Sequence, residues 1–119
     1  MKYLKILIIT LAIISLQACN SVGGGSSTVS NKQEYNELKD AVEKCKKDFK
    51  EKSIDETKYA SMMKGFGDVY VESVDAIPPE RRYTMAIYCY KIALRYDKSN
   101  KDLKKKLQKQ QSLYQVVNQ

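Results

Sequence analysis

Apolar residues recur at helical spacing along most of the chain. After a polar stretch ending near Ser30, Tyr35, Leu38, Val42, Cys45 and Phe49 step by three and four residues, while Lys39, Asp40, Glu43, Lys46 and Lys47 fall off that stripe. This spacing predicts an amphipathic helix from about Ser30 or Asn31 to Phe49 with one buried side. Its start has two candidate caps, Ser30 with Gln33 and Asn31 with Glu34, both at capping-box spacing. The stripe lasts about two heptads, fewer than a coiled coil needs, so packing within the domain is the expected use. Ser53 with Glu56 repeats the capping-box spacing and predicts a second helix to about Asp75, stopped by Pro78-Pro79. Asp55 and Glu56 are read there as acids favouring a helix N-terminus rather than as a catalytic pair. Pro79 suits the first turn of a third helix, to about Tyr96, which is apolar on nearly every side, as befits an element packed between others. Asp97-Lys98-Ser99-Asn100 makes a polar turn. A last helix from about Lys101 carries Leu103, Leu107, Tyr114 and Val117 on one stripe with lysines opposite. No stretch alternates as a strand does, so the predicted class is all-α: a small antiparallel helical domain, its central pair flanked by an N-terminal and a C-terminal helix.

The first 18 residues follow another pattern. Lys2 and Lys5 precede an apolar run from Ile6 to Leu16, and Leu16-Gln17-Ala18-Cys19 follows. A membrane span needs about 20 apolar residues, more than this run supplies. The segment resembles the signal peptide and lipobox of a bacterial lipoprotein, with small Ala18 at the cleavage site and Gln17 an uncommon occupant of its position. The resemblance implies cleavage before Cys19 and lipid on its thiol. An uncleaved signal anchor is the competing reading. Asn20 to Ser27, rich in Gly and Ser, reads as a flexible tether. The expected organisation is therefore a signal peptide over 1–18, a lipidated cysteine and tether over 19–30, and a helical domain over 31–119.

Composition narrows the chemistry. About 100 residues remain beyond the leader, enough for one small domain. The formal charge of +7 falls to +5 once Lys2 and Lys5 leave. Histidine is absent, which removes the commonest general base and the commonest metal ligand. With Cys19 taken by lipid, zinc would have only Cys45, Cys89 and carboxylates, a poor site. No enzyme, no metal, and no cofactor besides the covalent lipid on Cys19 is expected.

The second and third helices carry residues that resemble a tetratricopeptide repeat. Met63-x-x-Phe66-Gly67-x-x-Tyr70 follows the first-helix pattern, with Met63 at the tryptophan position, and Ala86-x-x-x-Tyr90-x-x-Ala93 follows the second. Leu94 to Asn100 resembles the closing turn. Small Gly67, Ala86 and Ala93 would let two helices approach while Phe66, Tyr70 and Tyr90 fill the space beside them. The chain departs from the pattern by about seven extra residues between Tyr70 and Ala86, and by Lys98 where proline is usual. An ordinary helical bundle with small residues at its central crossing accounts for the same positions.

Cys45 and Cys89 are the mature thiols beyond the lipid site. Export to an oxidising compartment makes a bridge between them one reading, and two buried free thiols the other. Lys98, Lys101, Lys104, Lys105, Lys106 and Lys109 form the densest charge cluster. It is either a solvated helix face or a basic surface for anionic lipid, cell-wall polymer or an acidic protein, nucleic acid being an unsuitable target for an exported chain. Tyr35, Tyr59 and Tyr114 belong either to the core or to a peptide-holding groove. The reading that results is an envelope lipoprotein, anchored in the membrane by lipid, acting as an adaptor or assembly factor for another envelope protein, with no small-molecule substrate. The alternative is an exclusion or immunity lipoprotein that blocks a transfer machine or toxin. Asn20 is not the aspartate associated with inner-membrane retention, so in a host with two membranes the periplasmic face of the outer membrane is the expected address.

Overall fold

Four helices account for most of residues 28–118, the part of the chain that the computed structural model describes: α1 (Lys32–Lys50), α2 (Glu56–Glu72), α3 (Pro79–Tyr96) and α4 (Lys101–Val117). There is no strand among the described residues. The expected signal peptide over 1–18, Cys19 with its expected lipid, and the Gly/Ser segment lie outside the described residues.

Three of the four helix starts are decided by which side chain reaches an orphan backbone N–H. Asn31 caps α1, its Oδ1 accepting the Glu34 N–H at 2.9 Å, while Glu34 Oε1 accepts the Ser30 N–H at 2.8 Å. Ser30 is thus the residue held by the box and not the cap. The start of α2 corrects the sequence reading. Asp55, not Ser53, is its cap, accepting the Lys58 N–H at 2.8 Å. Ser53 is already committed to ending α1, where its N–H bonds to the Asp48 carbonyl at 2.8 Å and the Lys52 N–H to that of Phe49 at 3.0 Å. These two bonds form a Schellman motif, and Lys52 occupies its left-handed position with φ 63° where glycine is usual. Asn100 Oδ1 caps α4 through the Leu103 N–H at 3.0 Å. α3 opens on Pro78 and Pro79 with no side-chain cap.

Helix α2 ends at Glu72, earlier than the prolines alone required. Buried Ser73 turns its hydroxyl back to the Val69 carbonyl at 2.6 Å and accepts the N–H of buried Val29 at 2.9 Å. Across the same turn, buried Arg82 donates Nε to the Ile77 carbonyl at 3.0 Å and a second guanidinium nitrogen to that of Val71 at 3.4 Å. The Val71 carbonyl at the end of α2 and the Ile77 carbonyl in the turn offset part of the cost of burying that cation.

The helix directions follow from the side-chain contacts. Tyr35 meets Tyr70 edge-on and Phe49 stacks on Tyr59 at 4.1 Å, so α1 and α2 run antiparallel. α2 and α3 are antiparallel in turn, with Gly67 set against the Tyr90 ring. Lys64 to Asp102 and Asp68 to Lys106 set α4 beside α2 in the same direction. α3 packs on both α2 and α4, as its all-round apolar sequence predicts. The core contains Leu38, Met63, Phe66, Tyr70, Tyr90 and Leu103. One end, which we term tethered, gathers Val29, the start of α1, the 73–78 turn and the end of α4. The far end gathers the turns at 51–55 and 97–100.

The α4 stripe holds as far as half-buried Tyr114 and fails at Val117. Leu103 is buried and Leu107 half-buried, but Val117 is 44% exposed and Val116 68%. Gln110 takes the next inward position and is buried. Val117 is thus removed from the predicted stripe, because the helix runs past the neighbours that could cover it.

Candidate interaction surface

The lysine cluster is divided by the fold. Lys106 points inward along α2, and its ammonium lies 2.9 Å from Asp68 Oδ1, both side chains being about one third exposed. The same oxygen accepts the Tyr90 hydroxyl at 2.5 Å. This arrangement joins α2, α3 and α4, so Lys106 is a structural member rather than part of a free basic surface. Lys98, Lys101, Lys104, Lys105 and Lys109 are exposed. Burial, with the Asp68 carboxylate second, pushes the Tyr90 phenol strongly up, so it stays protonated and donates to Asp68.

Tyrosines predicted as either core or groove fall mostly on the core side. Tyr59 is buried in a pile with Phe49 and Tyr96, the Tyr59 and Tyr96 ring centroids 5.5 Å apart. Tyr35 is half-buried against Tyr70, and its hydroxyl accepts from Arg81 at 3.3 Å. Tyr114 is half-buried. A peptide groove made of these three together is not formed, since Tyr59 and Tyr35 lie at opposite ends of the domain.

Cys45 and Cys89 are free thiols in this structure, both buried. Cys45 Sγ lies 3.8 Å from Met62 Sδ rather than in a bond to sulfur. Burial pushes each thiol up to about 12, with Asp48 adding to the effect at Cys45 and Cys45 itself adding to it at Cys89. Neither is a nucleophile at neutral pH, because the thiolate is the reactive form.

Two clefts open toward the far end. One, of about 330 Å³, is lined by Thr57, Ser61, Lys64, Tyr96, Asp97 and Asn100 among others. The second, shallower and of about 620 Å³, has half-buried Phe49 and Ile54 as its apolar part, with Lys50, Lys52, Asp55 and Glu56 around them. Asp97 accepts the Asn100 side-chain amide at 2.9 Å, and Asp55 is engaged as a helix cap. Among the described residues no group of three or more Cys, Asp or Glu is placed to hold a metal ion, and no helix is long and apolar enough to cross a membrane.

Three positions that organise these surfaces carried no signal in the sequence: Ser73, Arg82 and Asp68. Each is an ordinary polar residue on a helix or turn whose role depends on a partner from another element. What the fold defines is a small four-helix all-α domain. No family model, no curated protein and no solved structure matches this chain.

Proposed function

We propose that the chain is an envelope lipoprotein, held in the membrane through lipid on Cys19, whose helical domain serves as a protein-binding adaptor. The observation that carries this reading is the bond from the Val29 N–H to Ser73 Oγ. It ties the segment that follows the lipobox to one end of the bundle and leaves the far end and the lysine row of α4 clear of the attachment point. The α2–α3 pair is read as one tetratricopeptide-like unit. Ala86 and Ala93 are fully buried, and Gly67 sits so close to Tyr90 that an added Cβ would meet the ring at 2.5 Å. α1 and α4 then cover the two sides of a unit that buries little by itself.

Metabolic labelling with a fatty-acid analogue tests the anchor: the native chain becomes labelled and Cys19→Ser does not. Crosslinking in intact cells tests the adaptor role, which requires recovery of another envelope protein with the native chain. An unlabelled chain released in soluble form overturns the lipoprotein reading, and a labelled chain that crosslinks to no protein overturns the adaptor reading.

A further inference from the structure

Charge is distributed along the bundle axis and not only on α4. Dividing each helix at its midpoint, the far half comprises residues 42–64 and 88–109, and the tethered half the rest of 28–118. Of the chain's 21 Lys and Arg, fifteen lie in the far half, and of its 14 Asp and Glu, seven do. The tethered half holds four basic residues against seven acidic ones, Lys2 and Lys5 lying outside the described residues. The domain is therefore polarised, with a surplus of eight positive charges in one half and of three negative charges in the other. The helix dipoles do not offset this: α2 and α4 begin at the far end and α1 and α3 finish there, so their end charges cancel.

The polarity has a direction set by the chain's attachment. Val29, bonded to Ser73, enters at the acidic end, and α1 alone, at 19 residues, carries the fold about 28 Å beyond it. That separation is several times the Debye length of about 8 Å in physiological salt, so the two ends act as independent fields. At the basic end the surface is not uniformly charged. Half-buried Phe49 and Ile54 provide an apolar foothold rimmed by Lys50 and Lys52 together with Glu56 and the helix-capping Asp55, so the positive surplus comes from the surrounding half rather than from the cleft itself. A polyanionic glycan offers charge alone, and on the anchored reading the bilayer lies toward the opposite end, whereas a protein segment supplies carboxylates and apolar side chains together.

We propose that the far end of the bundle is a docking site for an acidic protein segment with interspersed apolar side chains, belonging to a partner that approaches from the side away from the anchor. This rests on the reading of Cys19 as the anchor and of the domain as an adaptor. It adds which end binds and what chemistry is bound. The surplus of lysines steers the segment in, and the Phe49–Ile54 cleft fixes it.

The test uses the lipidated full chain in detergent and a fluorescent peptide of alternating Glu and Leu, read by anisotropy. Lys50→Glu, Lys52→Glu and Lys98→Glu together are expected to weaken binding about tenfold or more, and Lys32→Glu with Lys39→Glu at the tethered end less than about twofold. Should the triple reversal lose helix, the corresponding Lys→Gln changes carry the comparison. Equal losses at both ends overturn the proposal. So do equal binding of an all-Glu peptide, which would make the surface a general polyanion site, and stronger binding to phosphatidylglycerol vesicles than to the peptide, which would make it a lipid surface. Photocrosslinkers at Lys52 and at Gln33 in intact cells separate this proposal from the adaptor reading. Capture of an acidic segment at Lys52 supports both; protein captured only at Gln33 keeps the adaptor and overturns the far-end site; capture at neither overturns both.

Discussion

Gly67 offers the sharpest test of the packing, because adding a single methyl group there sets two effects of opposite sign against each other. An alanine at this position would place its Cβ 2.5, 2.8 and 3.0 Å from three atoms of the Tyr90 ring. Carbon atoms in contact prefer about 3.5–4.0 Å, so ring and helix must part by about 1 Å. Tyr90 has nowhere to go: it is 1% exposed, and its hydroxyl is held by Asp68 at 2.5 Å. Overpacking of this kind costs about 1–3 kcal/mol. Breaking the Tyr90–Asp68 bond as the way out adds about 1.5–3 kcal/mol, since the acceptor is charged. Against this, replacing a mid-helix glycine by alanine gains about 1 kcal/mol of helix propensity. With the buried ring able to yield only by losing that bond, the expected net is a loss of about 1.5–5 kcal/mol for Gly67→Ala, and more for Gly67→Leu. For a domain of this size each kcal/mol lowers Tm by about 4–8 °C, readily seen in far-UV circular dichroism. A double-mutant cycle with Tyr90→Leu isolates the cause, because once the ring is removed Gly67→Ala should become neutral or stabilising. A Gly67→Ala chain that melts at or above the native temperature would refute the close α2–α3 crossing, and with it the repeat-like pairing.

Lys52→Gly should stabilise the domain by about 1 kcal/mol, because glycine bears no steric penalty at the left-handed position that ends α1; unchanged or lower stability in urea unfolding would count against that geometry. Stability should fall steadily as pH rises from about 9 to 12. The Cys45 and Cys89 thiols, ordinarily near 9.0, are pushed up to about 12 by burial, and the Tyr59 phenol moves from 10.0 to about 12 for the same leading reason. Below that window these groups are protonated in both folded and unfolded chains, and within it only the unfolded chain releases protons, so unfolding gains; a flat pH profile there would contradict their burial. Iodoacetamide at neutral pH should spare both thiols in the folded chain and modify both after unfolding without reductant; resistance after unfolding would show them bridged. Lys106→Glu should cost about 1 kcal/mol by facing Asp68 with a like charge, whereas Lys105→Glu, fully in solvent, should stay within about 0.5 kcal/mol of the native chain in the same melting assay.

Helix class and helix order were legible along the chain because both depend on short-range physics. The stripe Leu38, Val42, Cys45, the prolines before α3 and the amide cap at Asn31 act within four or five residues of themselves, and the folded domain uses all of them. The all-round apolar character of α3 likewise announced its central place, since a helix without a polar face needs neighbours on more than one side. Where two elements meet, the pattern along the chain was insufficient: Ser53 has the capping spacing for α2, but it still lies in the turn that closes α1, and the helix begins only after Asp55, whose carboxylate accepts the Lys58 N–H. Only the tertiary structure decided which charged residues are surface and which are joints. Lys105 and Lys106 are neighbours in sequence, yet one helical step of about 100° turns the first to water and the second to Asp68. Ser73 and Arg82 became interior for the same reason, because burial of a polar group depends on carbonyls and N–H groups brought from elsewhere in the fold. The axial charge polarity belongs to both levels. The residues that make it are plain in the sequence, but only antiparallel folding brings residues 42–64 and 88–109 to one end and sets that end opposite the point where Val29 enters.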